Sequence, residues 1–338
     1  MPRARRGKAG PVPEAVETLL ADCPAAEAQI ALSGDKLFLL APENRAFIAY
    51  ADTGRTFVAK GDPVGDPQAA RQLIWDLREL ADKAGRRCAF YGVTQTYLPT
   101  YLDLGLSILK IGEVARVDLH NFTLEGSARR DFRQAVNTAL REGYTFEIIR
   151  KADVPAAFPA LKSVSDAWLA ARKGSEKGFS LGACTLDYLS YFDHAVLRHG
   201  QGGPIVAFAT LLQGATHAEV SLDLMRHAST GPKYAMDALF GHIMLWAKAS
   251  GFRWFSLGAA PLSGLENRRL ASMWNRIGGV VYDHGEQFYH FEGLRTFKQK
   301  FDPIWTPEYL ACPGGLAVPQ VLFEVNGLIS GGVKGLIR

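Results

Sequence analysis

One feature constrains this chain most: short apolar runs of strand length alternate with amphipathic stretches of helical period, and the order starts again after residue 143. Such a chain builds an α/β structure, because each helical stripe needs a sheet face to bury against. In the first pass, strands are predicted over 36–41, 46–51, 56–60 and 87–93, with one or two more over 106–119. Helices are predicted over 13–20, 67–84 and 97–104. In the second pass the pattern predicts a strand over 144–150 and helices over 154–172 and 185–199. A hairpin over 204–212 and 217–226, a helix over 234–250, a strand over 252–258, a helix over 265–277 and a strand over 280–283 follow.

Between the passes lies a helix over 127–142, with Ser127 as its N-cap and Gly143 just past its end. Phe132, Val136, Ala139 and Leu140 form its apolar stripe. Arg129, Arg130, Arg133, Asn137 and Arg141 make the other side basic. The whole chain carries 38 Lys and Arg against 34 Asp and Glu, a net charge of +4, so where the charge sits matters more than its sum. Either this helix face is simply solvated, or it is a strip for phosphates.

Hydrophobic residues make up 48% of the 338, enough for a large core, which excludes a disordered chain or a disulfide-stapled miniprotein. Cys23, Cys88, Cys184 and Cys312 lie far apart and form no C-x-x-C metal or redox pair. No run of 18 apolar residues is present. The expected organisation is a flexible basic leader (1–13), a first module (14–126), the basic helix (127–142), a second module (143–312) and an apolar segment (313–338). That last segment either lies on a membrane or packs on the domain, and its glycines argue against a helix.

The element order of the second pass resembles the N-acetyltransferase (GNAT) fold, and the first pass repeats it in degraded form. The fold class expected is therefore α/β, with two tandem GNAT-like modules joined by a basic α-helix. That fold holds acyl-coenzyme A with a glycine-rich loop whose amides cradle pyrophosphate. Here the equivalent stretch, 226–236, has one glycine followed by Pro232, which has no N–H to give. Acetyl-coenzyme A fits poorly, and another acyl donor is expected.

Three runs are more specific: Ser221-Leu-Asp-Leu-Met-Arg226, Phe255-Ser-Leu-Gly-Ala-Ala-Pro-Leu-Ser263, and the Phe-Lys-x-Lys-Phe-x-Pro-x-Trp-x-Pro-x-Tyr pattern within 289–310. With Gly61-Asp-Pro-Val-Gly65 and Tyr91-Gly-Val93, they resemble the C-terminal catalytic region of the aminoacyl-phosphatidylglycerol synthases, the MprF family, over residues 30–310. The resemblance is weakly greater to the alanyl branch. It implies transfer of an amino acid, alanine rather than lysine, from aminoacyl-tRNA to a glycerol hydroxyl of phosphatidylglycerol. It also implies a membrane-spanning domain ahead of this stretch, work at the cytoplasmic face of the bacterial inner membrane, and a product that weakens binding of cationic antimicrobial peptides. An aminoacyl ester is already activated, so the reaction needs no ATP, metal or cofactor. It needs a proton acceptor, cations near phosphate and donors for the oxyanion.

Asp223 and Arg226 lie three apart at a strand end, where this fold splays its central strands. Asp223 is expected to act as a base or to hold an ammonium, and Arg226 to contact phosphate or carbonyl. A strand-end ion pair is the plain alternative. Lys298 is expected to hold the lipid phosphate or the tRNA 3′ end. Lys300 shares its face if the run is extended and diverges if it is helical. Ser256 and Ser263 are expected as pocket walls or turn residues. Glu219 shares a strand face with His217, Ser221 and Asp223. Glu286 and Tyr289 complete the substrate-binding candidates, with Glu266 and His290 weaker. Arg129, Arg130, Arg133 and Arg141 are the candidates for the tRNA acceptor stem. Two other readings remain: a tRNA-dependent transferase acting on a peptidoglycan precursor or protein N-terminus, and a non-catalytic module that binds tRNA or anionic lipid.

Overall fold

Twelve strands, all among the described residues, join into one sheet. The structure, a computed structural model, describes residues 10–172, 174, 176–229, 231–265 and 291–330. Its first half contains α1 (Glu14–Ala21), β1 (Leu37–Leu40), β2 (Ala46–Asp52), β3 (Thr56–Lys60), β4 (Val64–Gly65), α2 (Pro67–Lys83), β5 (Arg87–Val93), α3 (Leu98–Asp103) and β6 (Ser107–Asp118). The basic helix is α4 (Arg130–Arg141). The second half contains β7 (Tyr144–Ile149), α5 (Val154–Ala171), the single turn α6 (Leu186–Leu189), β8 (Asp193–His199), β9 (Ile205–Gln213), β10 (Glu219–His227), α7 (Ala235–Ala249) and β11 (Trp254–Pro261). After the undescribed stretch come α8 (Phe291–Gln299), β12 (Ile304–Cys312) and α9 (Ala317–Ile329).

The sheet runs β1-β2-β3-β5-β12-β6-β11-β10-β9-β8-β7, with β4 paired to β2. The mixed α/β class read from the sequence is the class observed. The halves meet by exchange. β12, from the far end of the chain, lies between β5 and β6 of the first half, antiparallel to both. β6 in turn pairs with β11 of the second half.

Local signals explain most elements. α2 starts at Pro67 with the Asp66 carboxylate accepting from the amides of Gln68 (3.2 Å) and Ala69 (2.9 Å), a cap worth about 1 kcal/mol. α4 starts later than expected: Arg129 is its N-cap residue and no side chain caps it. Its buried stripe is Phe132, Ala135, Val136 and Ala139, while Leu140 is 57% exposed, so Ala135 replaces Leu140. Phe132 meets Phe301 at 4.3 Å between ring centroids; burying such a ring contributes roughly 1.5–3 kcal/mol. α4 crosses α7 closely at Gly241, where a Cβ would meet Val136 Cγ2 at 2.7 Å.

Three expectations fail. The helix over 185–199 is only the turn α6, capped by Thr185, followed by strand β8. Thr185 caps that one turn, but pairing of β8 with β7 and β9 claimed the rest. His217 is not on β10; it closes a 3-10 turn, Ala215–His217, and packs on Phe252. The 313–338 segment does contain a helix, α9, because all its glycines but Gly327 fall outside Ala317–Ile329. Val321 and Val325 bury against Val58, Ala89 and Leu310 of the sheet. The predicted elements over 265–277 and 280–283, apart from residue 265, lie outside the described residues, as do Glu266, Glu286, Tyr289 and His290.

Candidate active site

β10 and β11 run parallel but pair only from Glu219–Trp254 to Ser221–Ser256. Beyond that, β10 shifts register against β9 between Leu222 and Met225, and β11 shifts against β6 between Ser256 and Gly258. Gly258 has φ +75°, a conformation that disfavours a side chain. The ladder between β10 and β11 is therefore open from Asp223 and Gly258 onward, where polar groups gather.

Asp223 is buried. Its carboxylate accepts from the Tyr188 hydroxyl (2.7 Å) and the Gly182 amide (3.0 and 3.2 Å). Burial raises its pKa, with the Tyr188 and Gly182 donors opposing. Arg226 does not pair with Asp223. It stacks 4.1 Å over Trp168 and pairs with Glu176 at 2.8 Å. Burial lowers its pKa, and among the described residues its Nε finds no hydrogen-bond partner.

Lys298 enters the opening from α8. It is 5% exposed, and its ammonium donates to the carbonyls of Gly258 (2.9 Å) and Ala259 (2.6 Å). Burial lowers its pKa to about 8, against the pull of Glu27 and Glu308. Lys300 diverges as a helical run requires; its half-exposed side chain lies 3.9 Å from Asp131 on α4.

A second cluster surrounds Lys298 electrostatically: Glu27, Lys60 on β3 and Glu308 on β12. Lys60 pairs with Glu27 at 2.6 Å. Burial would lower the Lys60 pKa, but Glu27 and then Glu308 outweigh it and the pKa rises. Glu308 is buried, and among the described residues no hydrogen bond reaches its carboxylate. Burial, then Glu27, raises its pKa to about 7. Gly92 makes the room: a Cβ there would lie 2.7 Å from Glu308 Oε1 and 2.9 Å from Lys60 Nζ.

Most of the remaining candidates are held by internal partners. Glu219 accepts from Arg116 (2.6 Å) and the Ala26 amide (3.1 Å), tying the two halves together. Ser256 Oγ accepts from the Gly258 amide at 3.2 Å and shapes the bulge. Ser263 is buried just past β11, its hydroxyl without a partner among the described residues. Arg129 covers Phe122 and donates to the Phe301 carbonyl. Arg133 donates to the carbonyls of Leu124 (2.6 Å) and Gly126 (3.1 Å). Arg130 and Arg141 stay exposed, Arg141 donating to Thr138. In the loop after β10, the Gly231 amide donates to the Ala228 carbonyl and Pro232 has none, so neither faces outward as a phosphate cradle requires.

The profile of the family described as phosphatidylglycerol lysyltransferase, C-terminal, matches residues 18–312. The chain belongs to that family. The Bacillus subtilis protein named phosphatidylglycerol lysyltransferase is 35% identical over 297 residues. These are 88% of this chain but 34% of that protein, so the chain spans about a third of the length of this curated relative. Among solved structures, L-PGS from Bacillus licheniformis superposes with a TM-score of 0.85 at 35% identity, covering 95% of this chain and 97% of that one. The C-terminal domain of a proposed lysylphosphatidylglycerol synthetase from Agrobacterium fabrum does so at 0.84 and 40% identity, covering 95% and 98%. FemX, at 8% identity and a TM-score of 0.58, shares the fold alone.

For this family member, sequence reasoning missed Glu27, Lys60, Glu308, Glu176 and Tyr188. Glu308 stood inside the quoted Trp-x-Pro-x-Tyr pattern, and a charged residue within a half-buried strand was the available signal. The others carry no local signal, because their partners lie 33 to 50 residues or more away.

Proposed function

We propose that this chain is the catalytic region of a tRNA-dependent aminoacyltransferase that esterifies a glycerol hydroxyl of phosphatidylglycerol. The observation that carries the reading is the opened ladder between β10 and β11, with buried Asp223 at one lip and buried Lys298 at the other. Asp223 takes the α-ammonium of the aminoacyl group. Arg226, stacked and paired, faces the ester or the terminal phosphate. Burial displaces the pKa values of Lys298 and Glu308 toward neutrality, which suits proton transfer. The acceptor oxygen bonds to the ester carbonyl carbon as its proton passes to Glu308. The bond from that carbon to the tRNA ribose oxygen breaks, and the leaving oxygen takes a proton from Lys298. Exposed Arg130 and Arg141 take phosphates of the acceptor stem.

Alanine is favoured as the transferred amino acid. Glu176 is already neutralised by Arg226, which leaves Asp223 as the one carboxylate for one ammonium. The second reading is lysine. The curated relatives are named for lysyl transfer, and Glu176 would serve the side-chain ammonium if Arg226 released it. In either case the work is placed at the cytoplasmic face of the bacterial inner membrane, beside a membrane-spanning domain. Masking the lipid charge there lowers the binding of cationic antimicrobial peptides. No helix among the described residues is long and apolar enough to cross a membrane.

The test supplies the purified chain with phosphatidylglycerol vesicles and radiolabelled Ala-tRNA or Lys-tRNA in parallel. Label entering the chloroform phase from one donor supports the reaction and selects the amino acid. Label in neither, with tRNA still bound, overturns lipid transfer and favours a binding module or a peptidoglycan-directed enzyme.

A further inference from the structure

Segment 176–184 of the second half supplies Gly182 to Asp223 and Glu176 to Arg226, and it has almost no secondary structure of its own. It is pinned at intervals. Glu176 holds Arg226 and accepts from the Cys184 amide. The Gly178 amide donates to the carbonyl of Ile329 at the end of α9 (3.0 Å). The Gly182 amide donates to Asp223, and a Cβ at Gly182 would overlap the Tyr188 ring at 1.9 Å. The middle of the segment is Phe179, buried, with φ +60°. An aromatic residue occupies that left-handed region at a cost and stays there only if its surroundings hold it.

The Phe179 ring packs in a cluster with Val321 and Val325 of α9 and Leu310 of β12, and its polar contacts come from the first half of the chain. Asp35 Oδ2 accepts from the Phe179 amide at 2.6 Å and lies 3.1 Å from where a Gly178 side chain would begin. Its other oxygen pairs with Lys36 at 2.7 Å. The Lys36 side chain is fully buried, and its ammonium sits 5.8 Å from the centroid of the Phe179 ring. Only the Lys36 end of this pair is buried; the Asp35 side chain is 38% exposed, and such a solvent-facing ion pair is a poor source of stability. This one holds a strained residue at two points, by its amide and by its ring.

We propose that Asp35 and Lys36 are the positioning pair for segment 176–184, and that through it the first half fixes Asp223 and Arg226 in the geometry that receives the aminoacyl group. The last clause rests on the function proposed above.

The test compares wild type with Asp35→Asn and with the double variant Asp35→Asn, Lys36→Met. The double variant keeps shape without an unpaired buried charge, should the single variant fail to fold. Two readouts are taken. Amide hydrogen exchange over 177–184 needs no substrate. Steady-state transfer from aminoacyl-tRNA to phosphatidylglycerol vesicles separates the KM of the tRNA from that of the lipid. Loss of one charge-assisted hydrogen bond is expected to speed exchange of this segment about tenfold or more, leaving α4 and α7 unchanged. KM for aminoacyl-tRNA is expected to rise about tenfold, with the lipid KM within about twofold. Unchanged exchange over 177–184, or a uniform rise across the molecule, overturns the positioning role. Faster exchange with both KM values unmoved confines the pair to holding the loop and overturns its link to the aminoacyl group. Absence of transfer by wild type itself overturns the function and that link together, while the exchange result still decides the positioning.

Discussion

Two polar clusters face the open ladder, and they are built differently. Around Asp223 every charge has a close partner: Asp223 with Tyr188 and Gly182, Arg226 with Glu176 and Trp168, Lys36 with Asp35. Around Lys298 the charges are less closely paired. Lys60 is taken by Glu27, which leaves Glu308 and Lys298 to face one another's fields with burial working against both. Paired, rigid groups suit binding and orientation, whereas groups displaced toward neutral pKa suit moving protons. In the function proposed above, the contrast corresponds to recognition on the β10 side and proton transfer on the α8 and β12 side.

Four experiments sharpen or break that contrast. The largest effect is expected at Lys298: Lys298→Ala lowers kcat by about a thousandfold, within the range of acid–base catalysis. Lys300→Ala, two residues away on the surface, changes it by less than about twofold. Equal effects would end the distinction between the buried and the exposed lysine. Next, Asp223→Asn should cost about a hundredfold in kcat/KM, mostly in the KM of aminoacyl-tRNA, as loss of a charge-assisted contact implies. A loss confined to kcat would move Asp223 into the proton-transfer group.

The third is a pH profile of kcat. The rate should rise as Glu308 loses its proton near pH 7 and fall as Lys298 loses its own near pH 8. Glu308→Gln should remove the rise on the acid side and leave the alkaline fall. An unchanged profile would exclude Glu308 as proton acceptor. The smallest effect concerns α4. Replacing Arg130 and Arg141 together by alanine should reduce the salt slope of tRNA binding by about one to two and leave Tm unchanged. Arg133→Ala should instead lower stability by about 1–2 kcal/mol, because it strips donors from two carbonyls. A Tm change in the double variant, or none in Arg133→Ala, would reverse that division of the basic face.

The pattern of apolar residues determined the α/β class, most strands and the helices α2, α4, α5 and α7, because strand and helix periods are local properties. The resemblance to the MprF family, not that pattern, singled out the runs that hold Asp223, Arg226 and Lys298. The pattern misassigned 185–199, where one capped turn gives way to a strand stabilised only by neighbours on both sides. Sequence reasoning preferred Lys298 to Lys300 but left open whether the two share a face, since either an extended or a helical run was possible. Folding separates them: α8 buries one under the Gly258 and Ala259 carbonyls and leaves the other beside Asp131. Insertion of β12 between β5 and β6 brings Glu308 to Lys60, residues 248 positions apart in sequence, and Gly92 leaves the space between them. Asp35 likewise reaches Phe179 only across the junction of the halves. A side chain's face follows from its own neighbours in sequence. Its charge state and partners follow from strand pairing and burial, and those exist only once distant segments have met.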